Sequence, residues 1–265
     1  IYAFYAGWFN NCTIVPIDFM ASIDDISYIV DDCRPEVIFA SKQMTDNILA
    51  IKEKTSAQTE IIYFEEIQQQ ESTGIMHWEK PDDLEKTAII IYTSGTTGSP
   101  KGVMLTFNNL IANIKGVSED VLIYTPERQV LILLPLHHVF PLVGSMVAPL
   151  YVGTTIVMAP SMQSSDLMET LKNNKVAIML GVPRLYELMY KGIKTKIDAS
   201  FVARLMYKVV KLSNSKKLGK KIFKKVHDNF GGHLEIMVAG GAALNKDVGN
   251  FFKTLKVVIS ADLLA

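Results

Sequence analysis

The sequence predicts an α/β protein built on largely parallel sheets covered by helices. Two observations carry this reading. Short runs rich in β-branched residues recur between helix-like stretches, and several of those runs are apolar throughout instead of alternating. A strand apolar on both faces needs cover on both faces, which is the situation of a parallel sheet flanked by helices.

The predicted strands are 13–17, 37–40, 60–64, 87–93, 130–134, 154–158, 176–180 and 234–238. The run Ala88-Ile89-Ile90-Ile91-Tyr92 is the clearest fully apolar case. Helical spacing of apolar residues places helices over 23–32, 44–54, 107–118, 165–173 and 245–252. Between Glu65 and Lys86 the chain turns polar, with Gln68, Gln69 and Gln70 followed by Glu71, Ser72, Thr73 and Gly74. That stretch reads as an exposed connection and a subdomain boundary near 65–86. No internal repeat is visible.

Bulk properties narrow the classes. The 265 residues are 49% hydrophobic and 20% charged, an ordinary globular composition with room for one large core or two modest ones. Lys plus Arg and Asp plus Glu both number 27, so no overall charge bias points to nucleic acid. Cys12 and Cys33 lack the spacing of a redox or zinc motif. They read as buried thiols of a protein from a reducing compartment, hence a cytoplasmic expectation. The start at Ile1 and the stop at Ala265 predict a piece of a longer chain, and the opening residues lack the basic flank and cleavage site of a signal peptide. Residues 129–165 carry no Asp, Glu, Lys or Arg, long enough to span a bilayer. Pro135, Pro141 and Pro149 interrupt the stretch and His137 and His138 lie within it, so a buried strand, helix and strand is the expected structure.

The segment Tyr92-Thr93-Ser94-Gly95-Thr96-Thr97-Gly98-Ser99-Pro100-Lys101-Gly102 follows an apolar strand and precedes the helix beginning near Thr106. Its glycines let backbone amides approach an anion, its hydroxyls are donors, and Lys101 adds a mobile positive charge. A triphosphate fits this set better than a single carboxylate. It is not a Walker A loop, because Lys101 follows Pro100 and precedes Gly102.

The whole segment resembles the signature of the AMP-forming adenylate superfamily, which includes acyl-CoA synthetases, luciferases and the adenylation domains of peptide synthetases. The resemblance implies that Thr93, Ser94, Gly95, Thr96, Thr97, Gly98 and Lys101 line the site of the β- and γ-phosphates, with Thr96 and Lys101 in catalytic roles. Three further segments extend it. Leu134-Pro135-Leu136-His137-His138-Val139-Phe140 resembles the family's second core segment, placing His138 beside the acyl site. Val238-Ala239-Gly240-Gly241-Ala242-Ala243-Leu244 resembles the wall of the adenine and acyl pocket, with Gly240, Gly241 and Ala242 near the ligand and Ala243 where a proline is usual. Gly181-Val182-Pro183-Arg184-Leu185-Tyr186 resembles a segment near the acyl channel, although Pro183 equally reads as the first residue of a helix. Gly7, Val15, Pro16, Ile17, Asp18 and residues 32–41 resemble the opening layer of the same domain.

Residues 192–232 resemble the longer connection of long-chain fatty acyl-CoA synthetases. The resemblance therefore implies activation of a fatty acid to its acyl-adenylate and then to acyl-CoA, using ATP, Mg²⁺ and coenzyme A. The magnesium-binding carboxylate, the ribose aspartate and a small lysine-bearing domain would lie outside this chain. A truncated nucleotide- or acyl-binding module without catalysis and an enzyme loading a carrier protein stay open as alternatives. Within 204–225, Arg204, Lys208, Lys211, Lys216, Lys217, Lys220, Lys221, Lys224 and Lys225 occur with no acidic residue between Asp198 and Asp228. With Leu218, Ile222 and Val226 opposite the paired lysines, the segment reads either as a solvated helix face or as a basic amphipathic helix for peripheral membrane contact.

Overall fold

The computed structural model describes residues 1–67, 83–94, 99–161, 163–213 and 215–261, with the backbone alone for Ser94, Ser164, Lys216, Ser260 and Ala261. The chain forms two compact units, 1–110 and 111–265. The boundary expected near 65–86 falls inside the first unit, and its residues 68–82 lie outside the described residues.

In the first unit, α1 (Tyr2–Phe9) carries an aromatic cluster, and its Trp8 indole donates to the carbonyl of Ala88 at 3.0 Å. Helix α2 (Ile23–Cys33) is capped by Ser22, whose side chain accepts from the amide of Asp25, with Asp24 and Asp25 favourably placed in the first turn. Strands β1 (Val37–Ala40) and β2 (Glu60–Tyr63) are parallel, with α3 (Thr45–Lys54) between them in sequence. Ile26, Val30, Ile48 and Ile51 bury their side chains in the small core of this layer. Strands β3 (Thr87–Ser94) and β4 (Pro100–Thr106) form an antiparallel hairpin leading into α4 (Phe107–Lys115).

Two expectations change here. The run 13–17 forms no strand, because Pro16 lacks a donor and only Ile14 bridges to Ile89. Cys12 is exposed on the turn after α1 and Cys33 is half-buried, so the two thiols are not both buried. Burial raises the Cys33 thiol above its ordinary value.

The second unit is a five-stranded parallel sheet in the order β6-β5-β7-β8-β9. Its strands are β5 (Gln129–Ile132), β6 (Thr155–Met158), β7 (Ile178–Gly181), β8 (Ile236–Ala239) and β9 (Val258–Ala261). Leu131, Met179 and Met237 join one continuous core, while their neighbours Val130, Ile178, Leu180 and Val238 point to the opposite face and are also fully buried. Both faces are therefore covered, as the unbroken apolar runs required.

Between β5 and β6 the chain is helical over α5 (Val139–Leu142), a wider π turn (Val143–Val147) and α6 (Ala148–Val152). The buried Tyr124 hydroxyl donates to the Gly144 carbonyl at this turn, at 2.6 Å. The uncharged stretch 129–165 is thus strand, helix and strand, and no helix among the described residues is long and apolar enough to cross a membrane.

Helices α7 (Ser164–Asn173), α8 (Pro183–Asp198), α9 (Phe201–Ser213), α10 (Lys216–Ile222), α11 (Lys224–Asn229) and α12 (Lys246–Leu255) complete the unit. The basic segment is thus three helices. Phe223 is buried between α10 and α11, and Leu218, Ile222 and Val226 pack against the unit's own core instead of forming an outward apolar face.

His227 on α11 is buried, and its Nε2 lies 2.9 Å from the carbonyl of Leu255 at the end of α12. A carbonyl only accepts, so Nε2 carries the proton of the neutral ring. Burial pushes the imidazole below its ordinary value, outweighing the opposing effect of the carbonyl. The unfolded chain then binds the proton more readily, so this contribution is complete above about pH 6.5 and is lost as pH falls below it. Urea unfolding followed from pH 8 towards pH 5 is expected to show declining stability for the parent. His227→Gln, which keeps a donor for Leu255 but does not titrate, should flatten that decline.

Candidate functional site

On the two sides of the Gly/Ser/Thr-rich segment, the β3–β4 ladder sets Tyr92 opposite Gly102, Thr93 opposite Lys101 and Ser94 opposite Pro100. Directly opposed residues present their side chains on one face of a ladder, so Thr93 and Lys101 share a face, and both are exposed. Gly95, Thr96, Thr97 and Gly98 lie outside the described residues. Strand β4 stands between this loop and the helix beginning at Phe107, so the loop does not open directly onto a helix N-terminus.

The hairpin depends on a close approach at Gly102. A Cβ there would lie 2.9 Å from Ile90 Cγ2 and 3.1 Å from the Tyr92 ring, so the glycine lets the ring cross the strand. The Tyr92 hydroxyl donates to Asp32 at the end of α2, and burial together with that carboxylate keeps the phenol protonated well above its usual range. The strand that feeds the loop is therefore tied to the opening α/β layer by a side-chain hydrogen bond.

A second group of residues meets at the carboxyl ends of β5, β7 and β8, which the sheet order places side by side. His138 is the N-cap residue of α5, with an extended backbone, an exposed side chain and its ring beside His137 at 4.0 Å between centroids. Val182 is exposed at the end of β7, whereas Pro183 is buried at the first position of α8, fulfilling its helix-starting role. The Gly240 amide donates to the Gly181 carbonyl at 3.3 Å, drawing the β8 turn against the β7 turn. Gly241 and Ala242 follow on the surface, Gly241 at a φ of 79° that favours glycine.

Two residues of this region carry weight that the sequence reading did not give them. A Cβ on Gly240 would lie 2.5 Å from Phe140 Cε2, so the Phe140 ring rests on the glycine and joins the His138 segment to the Gly240 turn. The buried Tyr186 hydroxyl lies 3.0 Å from the carbonyls of both Met179 and Val238, holding β7 and β8 together beneath the turns. The signal for Tyr186 was its place in the first turn of a helix that begins at Pro183. Phe140 stands a hundred positions from its partner, and no local pattern links the two.

Among the described residues no cluster of His, Cys, Asp or Glu has the size needed to hold a metal ion. These residues alone do not fit a magnesium site, so no chemical step of theirs is routed through one.

The second unit thus carries loops at the carboxyl ends of adjacent parallel strands, the position at which open α/β sheets as a class bind ligands. The N-terminal domain of FACL13 from Mycobacterium tuberculosis shares the fold with a TM-score of 0.71 at 17% identity, over 97% of this chain and 57% of that one. A luciferase from Phrixothrix hirtus does so with a TM-score of 0.72 at 19% identity, over 97% and 60%. Residues 1–260 match the family described as AMP-binding enzyme, and the chain belongs to that family.

Among curated relatives, Long-chain-fatty-acid–CoA ligase 4 of Saccharomyces cerevisiae is 33% identical over 196 residues, 68% of this chain and 27% of the relative. Long chain acyl-CoA synthetase 6, peroxisomal, of Arabidopsis thaliana is 33% identical over 185 residues, 66% and 26% respectively. The human mitochondrial Malonate–CoA ligase ACSF3 is 28% identical over 195 residues, 70% and 33%. The chain therefore spans about a quarter to a third of the length of these relatives.

Gly240→Ala is expected to push the Phe140 ring aside, because the new methyl and the ring cannot occupy the same space. Cross-peaks of a labelled Phe140 should shift, with a loss of about 1–3 kcal/mol in urea unfolding. An unchanged Phe140 environment would refute the contact.

Proposed function

We propose that this chain is part of an ATP-dependent ligase that activates a fatty acid as its acyl-adenylate and passes the acyl group to coenzyme A. The family match over residues 1–260 is the observation that carries the reading. The Thr93–Lys101 face of the hairpin and the loops around Gly240 support it with groups suited to phosphates and to a nucleotide or acyl wall.

In the first half-reaction a carboxylate oxygen attacks the α-phosphorus of ATP. A new oxygen–phosphorus bond forms while the bond to the bridging oxygen of pyrophosphate breaks. The substrate is already ionised near neutral pH, so no general base is required. Lys101 and the hydroxyls of Thr93, Ser94, Thr96 and Thr97, with amides of Gly95 and Gly98, stabilise the charge that gathers on the leaving pyrophosphate. The family resemblance assigns His138, Val182 and Pro183 to the acyl side and Gly240, Gly241 and Ala242 to the wall of the nucleotide and acyl pocket. In the second half-reaction the coenzyme A thiol gives up its proton to solvent and its sulfur attacks the acyl carbon. The carbon–sulfur bond forms as the bond from the acyl carbon to the AMP phosphate oxygen breaks, and AMP leaves. A magnesium ion would supply further charge neutralisation of the phosphates, and the family resemblance assigns its carboxylate ligand to a segment outside this chain.

Relatives named as long-chain ligases at 33% identity favour a long acyl chain. The malonate ligase at 28% identity supports a second reading, a short dicarboxylate. A reducing, cytoplasmic setting accords with the exposed free thiol of Cys12.

Acid-dependent exchange of pyrophosphate into ATP by the full-length protein is the deciding assay, run on long-chain, medium-chain and malonate substrates. Exchange greatest with a long-chain acid is the expected outcome. Malonate alone would select the second reading, and no exchange with any acid would overturn the catalytic proposal. Lys101→Ala should slow exchange about 10- to 100-fold with unchanged far-UV circular dichroism, since the side chain is exposed and contributes little packing. Equal exchange in variant and parent would remove Lys101 from the site.

A further inference from the structure

Helix α2 ends against the preference of its own dipole. The last turn of a helix favours cations, yet that of α2 holds Asp31 and Asp32 and no basic residue. Asp31 has a local partner, accepting from the amide and the hydroxyl of Ser56 at 3.0 and 3.3 Å. Asp32 instead accepts from the hydroxyl of Tyr92, 60 positions away on β3, and the Cys33 thiol lies beside the same hydroxyl.

Tyr92 is placed to act on both strands of the hairpin at once. It directly precedes Thr93 on β3, and its ring lies over Gly102, which directly follows Lys101 on β4. Successive residues of a strand point to opposite faces, so Tyr92 stands behind the face that carries Thr93 and Lys101. The ring contact sets the two strands against each other, and the hydroxyl sets both against α2. Asp32 therefore bonds to the back of the ladder, away from the side proposed for phosphates.

We propose that Asp32 is a positioning residue: through the Tyr92 hydroxyl it holds the β3–β4 ladder in the orientation from which Thr93 and Lys101 meet the phosphates of ATP. This deepens the ligase reading and rests on it. Two features favour positioning over plain support of the fold. An acid at the end of α2 opposes the helix dipole, so the helix alone gives no reason for it. A carboxylate behind a triphosphate site also opposes binding by its charge, so its benefit lies in the geometry it imposes. Burial and the carboxylate keep the Tyr92 phenol protonated well above its usual range, so the donor is in place at neutral pH.

The test is pyrophosphate exchange by the full-length protein with ATP varied, for Tyr92→Phe, Asp32→Ala, Asp32→Asn and the double variant of the first two. Tyr92→Phe keeps the ring on Gly102 and removes only the donor. It and Asp32→Ala should each lower kcat about tenfold, with KM for ATP changed by less than about threefold. The double variant should be no slower than either single one, since all three break the same hydrogen bond. Asp32→Asn keeps an acceptor without the charge and should retain most of the parent's kcat, which a role for the charge itself would not allow. Hydrogen–deuterium exchange of the 87–106 peptide gives a reading independent of catalysis. ATP should slow it in the parent and in Asp32→Asn, and clearly less in Tyr92→Phe and Asp32→Ala. A parental kcat in Tyr92→Phe, additive losses in the double variant, or an Asp32→Asn as slow as Asp32→Ala would each overturn the proposal. Should Asp32→Ala not fold, Tyr92→Phe and Asp32→Asn carry the same comparison. If the parent exchanges no pyrophosphate with any acid, the ligase reading falls by itself. The deuterium data then decide, and protection by ATP that is absent, or equal in parent and variants, would overturn the positioning role.

Discussion

Parallel pairing is the constraint on which the second unit depends. Each strand must be followed by a crossover before its neighbour can form, so every connection leaves from the carboxyl end of one strand and returns to the amino end of the next. Strands β5, β7 and β8 are adjacent in the sheet, and the segments leaving them begin at Leu133, Val182 and Gly240. The three stretches that look chemically distinctive in sequence are therefore brought to one end of the sheet by topology alone. Tyr186 and the Phe140–Gly240 contact then fix their spacing to within atomic contact. The buried sheet beneath has no polar role.

What was legible in the sequence follows the same physics. Fully apolar runs such as Ala88–Tyr92 and the one at β7 were readable because a strand covered on both faces must be apolar on both. Strand β4 was missed since Pro100 and Gly102, both poor strand residues, flank Lys101, and Pro100 is tolerated only because it is the strand's first residue. The run 13–17 was over-read because β-branched composition outvoted Pro16. In the basic segment helical spacing was real, but periodicity does not say which side of a helix is the inside. Leu218, Ile222 and Val226 turned inward, and the outward apolar arc is the one on α9. The site motifs were legible as motifs. The contacts that hold them, Tyr92 to Asp32 and Phe140 to Gly240, pair residues too distant in sequence for any local signal.

A phosphate site carried on a hairpin, as proposed for this segment, draws its charge differently from one at a helix N-terminus. A loop that opens a helix contributes the helix's partial positive charge and a set of aligned amides. Here β4 intervenes between the segment and the helix beginning at Phe107, so in the proposed role the formal positive charge comes from Lys101. The ladder register gives that lysine a defined place on the same face as Thr93. The cross-strand approach of Tyr92 to Gly102 and the Asp32 hydrogen bond then anchor the strand from which Thr93 projects.

The outer face of α9 carries an energetic argument of its own. Burying a side chain the size of leucine or phenylalanine contributes roughly 1.5–3 kcal/mol relative to leaving it in water. Phe201, Leu205 and Leu212 forgo that contribution while Val210, on the same helix, obtains it in full. A helix that served only to cover the sheet would need one apolar arc, and Ala203, Tyr207 and Val210 already provide it. The second apolar arc stays largely exposed among the described residues. What α9 contributes to the stability of the unit therefore comes from its inner arc.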